Sequence, residues 1–120
     1  MIIGVGVDTV SLSRFEAKLT ETPRLKDRLF LDIETVDVSA QTLAGRFAAK
    51  EAVIKALAGD PGIEWHGIEV GKESSGKPVI WLHGNTAKIA LQAGIRKLHV
   101  SISHDGDNAV AFVIAEGVES

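Results

Sequence analysis

Phe47-Ala48-Ala49-Lys50-Glu51-Ala52-Val53-Ile54-Lys55 is the stretch on which the architecture turns. It lies inside the clearest helical pattern of the chain, predicted over about 40–58, with Ser39 as N-cap and Gly59 as the stop. Setting Leu43 to zero and stepping ~100° per residue, Phe47, Ile54 and Leu57 fall in one narrow apolar stripe, which predicts a face packed on a core. Lys50 falls within that stripe, where an ammonium must be paired or must snorkel out. Glu51 lies on the stripe's edge, and Lys55 follows it at i,i+4 in the favoured order. Two readings stand at this point. One is a helix with a snorkelling lysine and a surface ion pair; the other is that Lys50, Glu51 and Lys55 face a charged ligand.

The segments on either side supply candidates for a site. Residues 2–10 read as a strand in which Ile3, Val5 and Val7 share one face, while Gly4, Gly6 and Asp8 lie on the other. Glycine inside a strand often marks a close approach of backbone or ligand. Asp8 is either a solvated strand end or a site residue. Set beside Glu51, it would form the pair of carboxylates that suits Mg²⁺, a hard ion that prefers oxygen and is usually shared with a phosphate. His104 closes the strand 97–104 after Ser101 and Ser103, and is either structural or aimed at a polar cleft. The remaining pattern predicts short helices at 14–19 and 24–30 and an irregular acidic stretch at 31–38. It then predicts strands at 63–72 and 78–82, a helix through about 93, and a final hairpin of 97–104 with 109–116 turning at 105–108. The class is α+β with an antiparallel sheet, in a single domain over 1–120.

Composition narrows the function. With 45% hydrophobic and 24% charged residues the chain is globular, and with no cysteine it has neither disulfides nor zinc–thiolate sites. No uncharged run approaches the ~18 residues of a membrane span, so the expectation is a cytoplasmic protein without membrane contact. A net charge of −3 argues against general nucleic-acid binding. Between Arg14 and Arg28, however, Arg14, Lys18, Arg24, Lys26 and Arg28 outnumber Glu16, Glu21 and Asp27. This basic segment in an acidic chain could meet an acidic partner. Gly76-Lys77-Pro78 is not a P-loop, because no GxxxxGK[ST] pattern surrounds it.

FAAKEAVIK at 47–55 and Gly4-Val5-Gly6-Val7-Asp8 together resemble the two signatures of the phosphopantetheinyl transferases, specifically the short single-domain holo-acyl-carrier-protein synthases. The resemblance runs from Ile3 to Glu116 and takes in Ala44-Gly45-Arg46, Gly76-Lys77-Pro78 and Ser101-Ile102-Ser103-His104. It departs at Ala58–Glu64, where relatives often carry a glycine-rich loop and this chain keeps only Gly59 and Gly62. The resemblance implies transfer of 4′-phosphopantetheine from coenzyme A to a serine of an apo acyl carrier protein, with Mg²⁺ held by Asp8 and Glu51. It implies coenzyme A contacts from Arg46, Lys50, Lys55, Gly76, Lys77, Pro78 and His104, with catalysis by Asp8, Glu51 and Lys55. It also implies a homotrimer with interfacial active sites. Arg14, Lys18, Arg24 and Arg28 are the expected carrier-docking residues. Two other readings compete: a metal-dependent nucleotide phosphohydrolase using the same carboxylates, and a non-catalytic module that binds acidic helices.

Overall fold

Residues 1–118 are described by a computed structural model. In chain order it contains β1 (Ile2–Ser11), α1 (Leu12–Glu21), α2 (Leu25–Leu29), α3 (Asp32–Thr35), α4 (Ala40–Ala56), β2 (Ile68–Lys72), β3 (Pro78–Leu82), α5 (Gly84–Gln92), β4 (Ile95–Asp105) and β5 (Asn108–Gly117). The strands form two antiparallel sheets, one of three strands in the order β1-β5-β4 and one a β2-β3 hairpin. The α+β class and the antiparallel pairing are as the sequence predicts. The division into two sheets is new.

α4 starts where Ser39 places it, with the Ser39 hydroxyl accepting the Thr42 N–H at 3.1 Å. Its burial differs from the expected single stripe. Leu43 and Leu57 are buried as predicted, yet Gly45, Ala48, Ala49, Ala52 and Ala56, on the opposite side, are buried too. The small-residue side faces the three-stranded sheet. There Gly6 pairs with Val113 and Val113 with Val100, while Asp8 pairs with Ala111 and Ala111 with Ile102. A Cβ on Gly4 would collide with the carbonyl oxygen of Ala56, and one on Gly6 with that of Ala52. The bare glycine face of β1 is therefore bare for the helix: two backbones approach closely because neither side carries bulk. Packing on this seam is tight, and Val113, fully buried there, contributes on the order of 1.5–3 kcal/mol.

The opposite face of the same sheet has no cover among the described residues. Val5 is 54% exposed, Val7 51% and Phe112 43%. Two boundaries also move. The strand predicted over 63–72 starts only at Ile68, because Trp65–Gly67 forms a 3-10 turn. Gly67 in that turn lies against Thr86, whose buried hydroxyl accepts the Glu64 N–H at 2.9 Å. The acidic stretch at 31–38, expected to be irregular, contains the single turn α3 and buries Glu34. No helix among the described residues is long and apolar enough to cross a membrane.

Candidate functional site

The close seam between β1 and α4 sets the first cluster. Asp8 follows the two glycines on the same face of β1, and Glu51 and Lys55 come from adjacent turns of the helix. Lys55 Nζ donates to Asp8 Oδ1 at 3.1 Å and to the Val7 carbonyl at 2.9 Å. The ammonium is half exposed and has a third hydrogen to offer. Burial, reinforced by the negative charge of Asp8, pushes the Glu51 carboxyl up from its ordinary range, while Lys55 pulls it back. Asp8 and Glu51 line one cavity of about 270 Å³ together with Ser11, Arg14, Lys18 and Phe47. A cavity walled by two carboxylates and closed by lysine and arginine is suited to an anion and a cation held together.

That donor set fits magnesium. Among the described residues no three His, Cys, Asp or Glu side chains converge. Asp8 and Glu51 would thus be the protein's share of an all-oxygen shell, the rest being water and phosphate. Mg²⁺ favours such incomplete protein coordination.

A second cavity, of about 170 Å³, opens further toward the start of α4. Arg46, Gly76, Pro78 and His104 line it with Thr42, Gly71 and Lys72. Four of the residues expected to contact coenzyme A thus meet in one place. His104 is held there by its Nε2 contact with the Gln41 carbonyl at 2.9 Å, and its ring approaches α4 closely because Gly45 has no side chain. Arg46 is buried and donates to the Glu34 carbonyl. Lys77 is exposed on the same hairpin but outside the lining, and Lys72, at the end of β2, takes that position. Sequence reasoning did not single out Thr42 or Lys72, because nothing local distinguishes a lysine at a strand end.

Lys50 requires a correction. It was expected at the ligand, but its ammonium is fully buried. It donates to Glu34 Oε1 at 2.7 Å, the Trp65 carbonyl at 3.0 Å and the Ile68 carbonyl at 2.6 Å. All three of its hydrogens are used within the protein, so none is left for coenzyme A. Burial lowers its pKa, and the hydrogen bond and charge of Glu34 oppose that shift. Glu34 completes the arrangement by accepting the N–H groups of Leu31 and Val70, each at 2.9 Å. The missed signal was Glu34, which lies outside any periodic segment.

The expected docking residues divide. Arg14 and Lys18, on α1, line the cavity of Asp8 and Glu51. Arg24 and Arg28 are exposed around α2 and line none of the cavities described here.

Residues 4–113 match the family model described as ACPS, the 4′-phosphopantetheinyl transferase superfamily. A holo-[acyl-carrier-protein] synthase of Leifsonia xyli is 47% identical over 116 residues, spanning 97% of this chain and 98% of that protein. The fold is also similar to the crystal structure of the Neisseria meningitidis holo-[acyl-carrier-protein] synthase, with TM-score 0.86 and 32% identity over 97% of this chain and 99% of that one. The Helicobacter pylori synthase in complex with coenzyme A gives TM-score 0.84 and 29% identity, over 93% of this chain and 99% of that one. The chain therefore belongs to the 4′-phosphopantetheinyl transferase superfamily and, within it, to the holo-[acyl-carrier-protein] synthases, a family of enzymes.

Proposed function

We propose that the protein transfers 4′-phosphopantetheine from coenzyme A to a serine of an apo acyl carrier protein and releases 3′,5′-ADP, with Mg²⁺ as cofactor. The observation that carries this reading is the single cavity in which Asp8, hydrogen-bonded to Lys55, and Glu51 meet Arg14 and Lys18. Asp8 and Glu51 hold the cation, which when bound neutralises the pyrophosphate oxygens and polarises the phosphorus under attack. Lys55 offers its third hydrogen to the same oxygens. The serine oxygen bonds to the phosphorus that bears pantetheine, the bond from that phosphorus to the bridging oxygen breaks, and 3′,5′-ADP departs with the electron pair. The serine proton leaves to a base in the cleft. The chain's main contribution is alignment of the two substrates, since phosphoryl transfer needs little covalent help. Arg46 and His104 suit the 3′-phosphate, with Gly76 and Pro78 beside the nucleotide and Lys77 at its outer edge.

The nucleotide and metal ends open as two cavities in one chain, and Val5, Val7 and Phe112 leave an apolar sheet face to be covered. Both features support a homotrimer in which neighbouring subunits complete each site. The function is tested by incubating the protein with coenzyme A, Mg²⁺ and an apo carrier protein and weighing the carrier. It gains the mass of phosphopantetheine, and 3′,5′-ADP forms only when the carrier is present. Release of 3′,5′-ADP without carrier would instead favour a phosphohydrolase. Mixing Glu51→Ala with Arg46→Ala protein restores activity only if sites form between subunits, which tests the assembly directly.

A further inference from the structure

The first turn of α1 is capped from outside its own segment. A helix begins with backbone N–H groups that have no partner within it. Here the Leu12 N–H donates to the carbonyl of Asp107 at 2.7 Å, and the Ser13 N–H donates to Asp107 Oδ1 at 3.0 Å. The third, that of Arg14, reaches the Ser11 hydroxyl at 3.3 Å. Both serine hydroxyls in turn donate to Asp107 Oδ2 at 2.8 Å. One residue of the β4–β5 turn thus takes two of these donors directly and orients the cap of the third. These bonds, from Ser13 first and then Ser11, hold the Asp107 carboxyl below the usual carboxylate range.

The position is odd for docking by charge alone. Asp107 is exposed and close enough to Arg14 to feel its charge. A carboxylate beside a face meant for an acidic protein repels that protein. Its presence there calls for another role, and the cap geometry supplies one. We propose that Asp107 is a positioning residue for carrier docking: it clamps the first turn of α1 to the β4–β5 turn and so holds Arg14 and Lys18 over the cavity of Asp8 and Glu51. The inference rests on the reading that α1 receives the carrier.

The test measures steady-state transfer with Asp107→Ala and Asp107→Asn, varying carrier and coenzyme A separately, alone and in an Arg14→Ala, Lys18→Ala background. Asp107→Ala should raise the carrier KM about three- to tenfold, in line with loss of a helix cap, and leave the coenzyme A KM within about twofold. Asp107→Asn keeps an acceptor for the Ser13 N–H and should recover most of the loss. In the doubly substituted background Asp107→Ala should add nothing, because its effect runs through those two side chains. Sign separates the clamp from simple charge: removing a repulsive carboxylate would lower the carrier KM. A carrier KM that is unchanged or lowered by Asp107→Ala overturns the inference, as does a penalty that persists in full in the Arg14→Ala, Lys18→Ala background. If the Arg14→Ala, Lys18→Ala protein itself binds carrier normally, the docking reading fails first and takes the inference with it.

Discussion

Lys50 and Lys55 stand on one helix, each bonded to a carboxylate, and their surroundings are opposites. Lys50 and Glu34 are fully buried, and every polar atom of the pair has a partner in the protein. Lys55 and Asp8 are partly exposed, and Asp8 lines an open cavity together with a Glu51 carboxyl raised in pKa. The first pair joins α3, α4 and β2. The second has hydrogen-bonding capacity and charge to spare. An ion pair therefore marks a site by what it leaves unsatisfied, since the closed pair is at least as well formed, at 2.7 Å against 3.1 Å.

The buried pair should give the largest response. Lys50→Ala leaves the Glu34 carboxylate buried without a counter-charge and is expected to cost about 3–5 kcal/mol. A denaturant melt should show it. Combining Lys50→Met with Glu34→Gln should lose less than the single change, because no charge is then buried without a counter-charge, although the amide has one oxygen and can replace only one of the two acceptors that Leu31 and Val70 use. A Lys50→Ala protein as stable as the parent would put both lysines in the same class and end the comparison.

The open pair should behave in the reverse way. Asp8→Ala and Glu51→Ala should each lower turnover by a hundredfold or more, on the order of the loss seen when one preorganised charge-stabilising group is removed. Thermal stability should hold or rise. Unfolding of Asp8→Ala would show that Asp8 is structural instead.

Next in size is the seam that brings the open pair together. Gly6→Ala drives a methyl into the Ala52 carbonyl, and backbone cannot yield as a flexible side chain can. Overpacking of this kind costs about 1–3 kcal/mol. Activity should fall with it, because Asp8 moves with β1 while Glu51 stays with α4.

Glu51→Gln offers a smaller, signed test in metal-free buffer. A carboxyl whose folded pKa is raised above the unfolded value near 4.5 favours folding when protonated. That contribution is present below 4.5 and is lost as pH rises through the folded pKa. The glutamine variant should therefore melt above the parent at neutral pH and converge with it in acid. A gap that widens on acidification would contradict the assigned cause.

These contrasts also show what the sequence could and could not reveal. Periodicity marks α4, and alternation marks β1, β4 and β5, because each element answers to its own neighbours along the chain. Asp8, Glu51 and Lys55 are legible since their motifs sit on those regular elements. The fate of Lys50 depends on Glu34, sixteen residues away, in a segment with no repeating pattern. Its burial is decided by tertiary packing, which local spacing does not encode. The small-residue face of α4 is hidden for a related reason: alanines opposite a leucine stripe look like a solvent face until two glycines appear across from them in the fold. Lys72 and Asp107 become informative only through what folds against them.

The smallest expected effect concerns the outer part of the basic segment. Arg14 lines the cavity of Asp8, whereas Arg24 and Arg28 are exposed around α2. All three carry the same charge, so long-range attraction to an acidic carrier should include each of them. Contact energy should not. An exposed ion pair is worth ~0–1 kcal/mol, so Arg24→Glu should raise the carrier KM severalfold at most. Arg14→Glu should do more, because it also places a third carboxylate in the wall that holds Asp8 and Glu51. Salt distinguishes the two contributions. The Debye length falls from ~10 Å at 0.1 M to ~3 Å at 1 M, which screens Arg24 and Arg28 almost completely and a partner seated against Arg14 much less. The KM penalty of Arg24→Glu should therefore vanish at high salt while part of the Arg14→Glu penalty persists. Equal penalties that fade together would mean that the carrier senses this face only as a field, with no docking contact at α1.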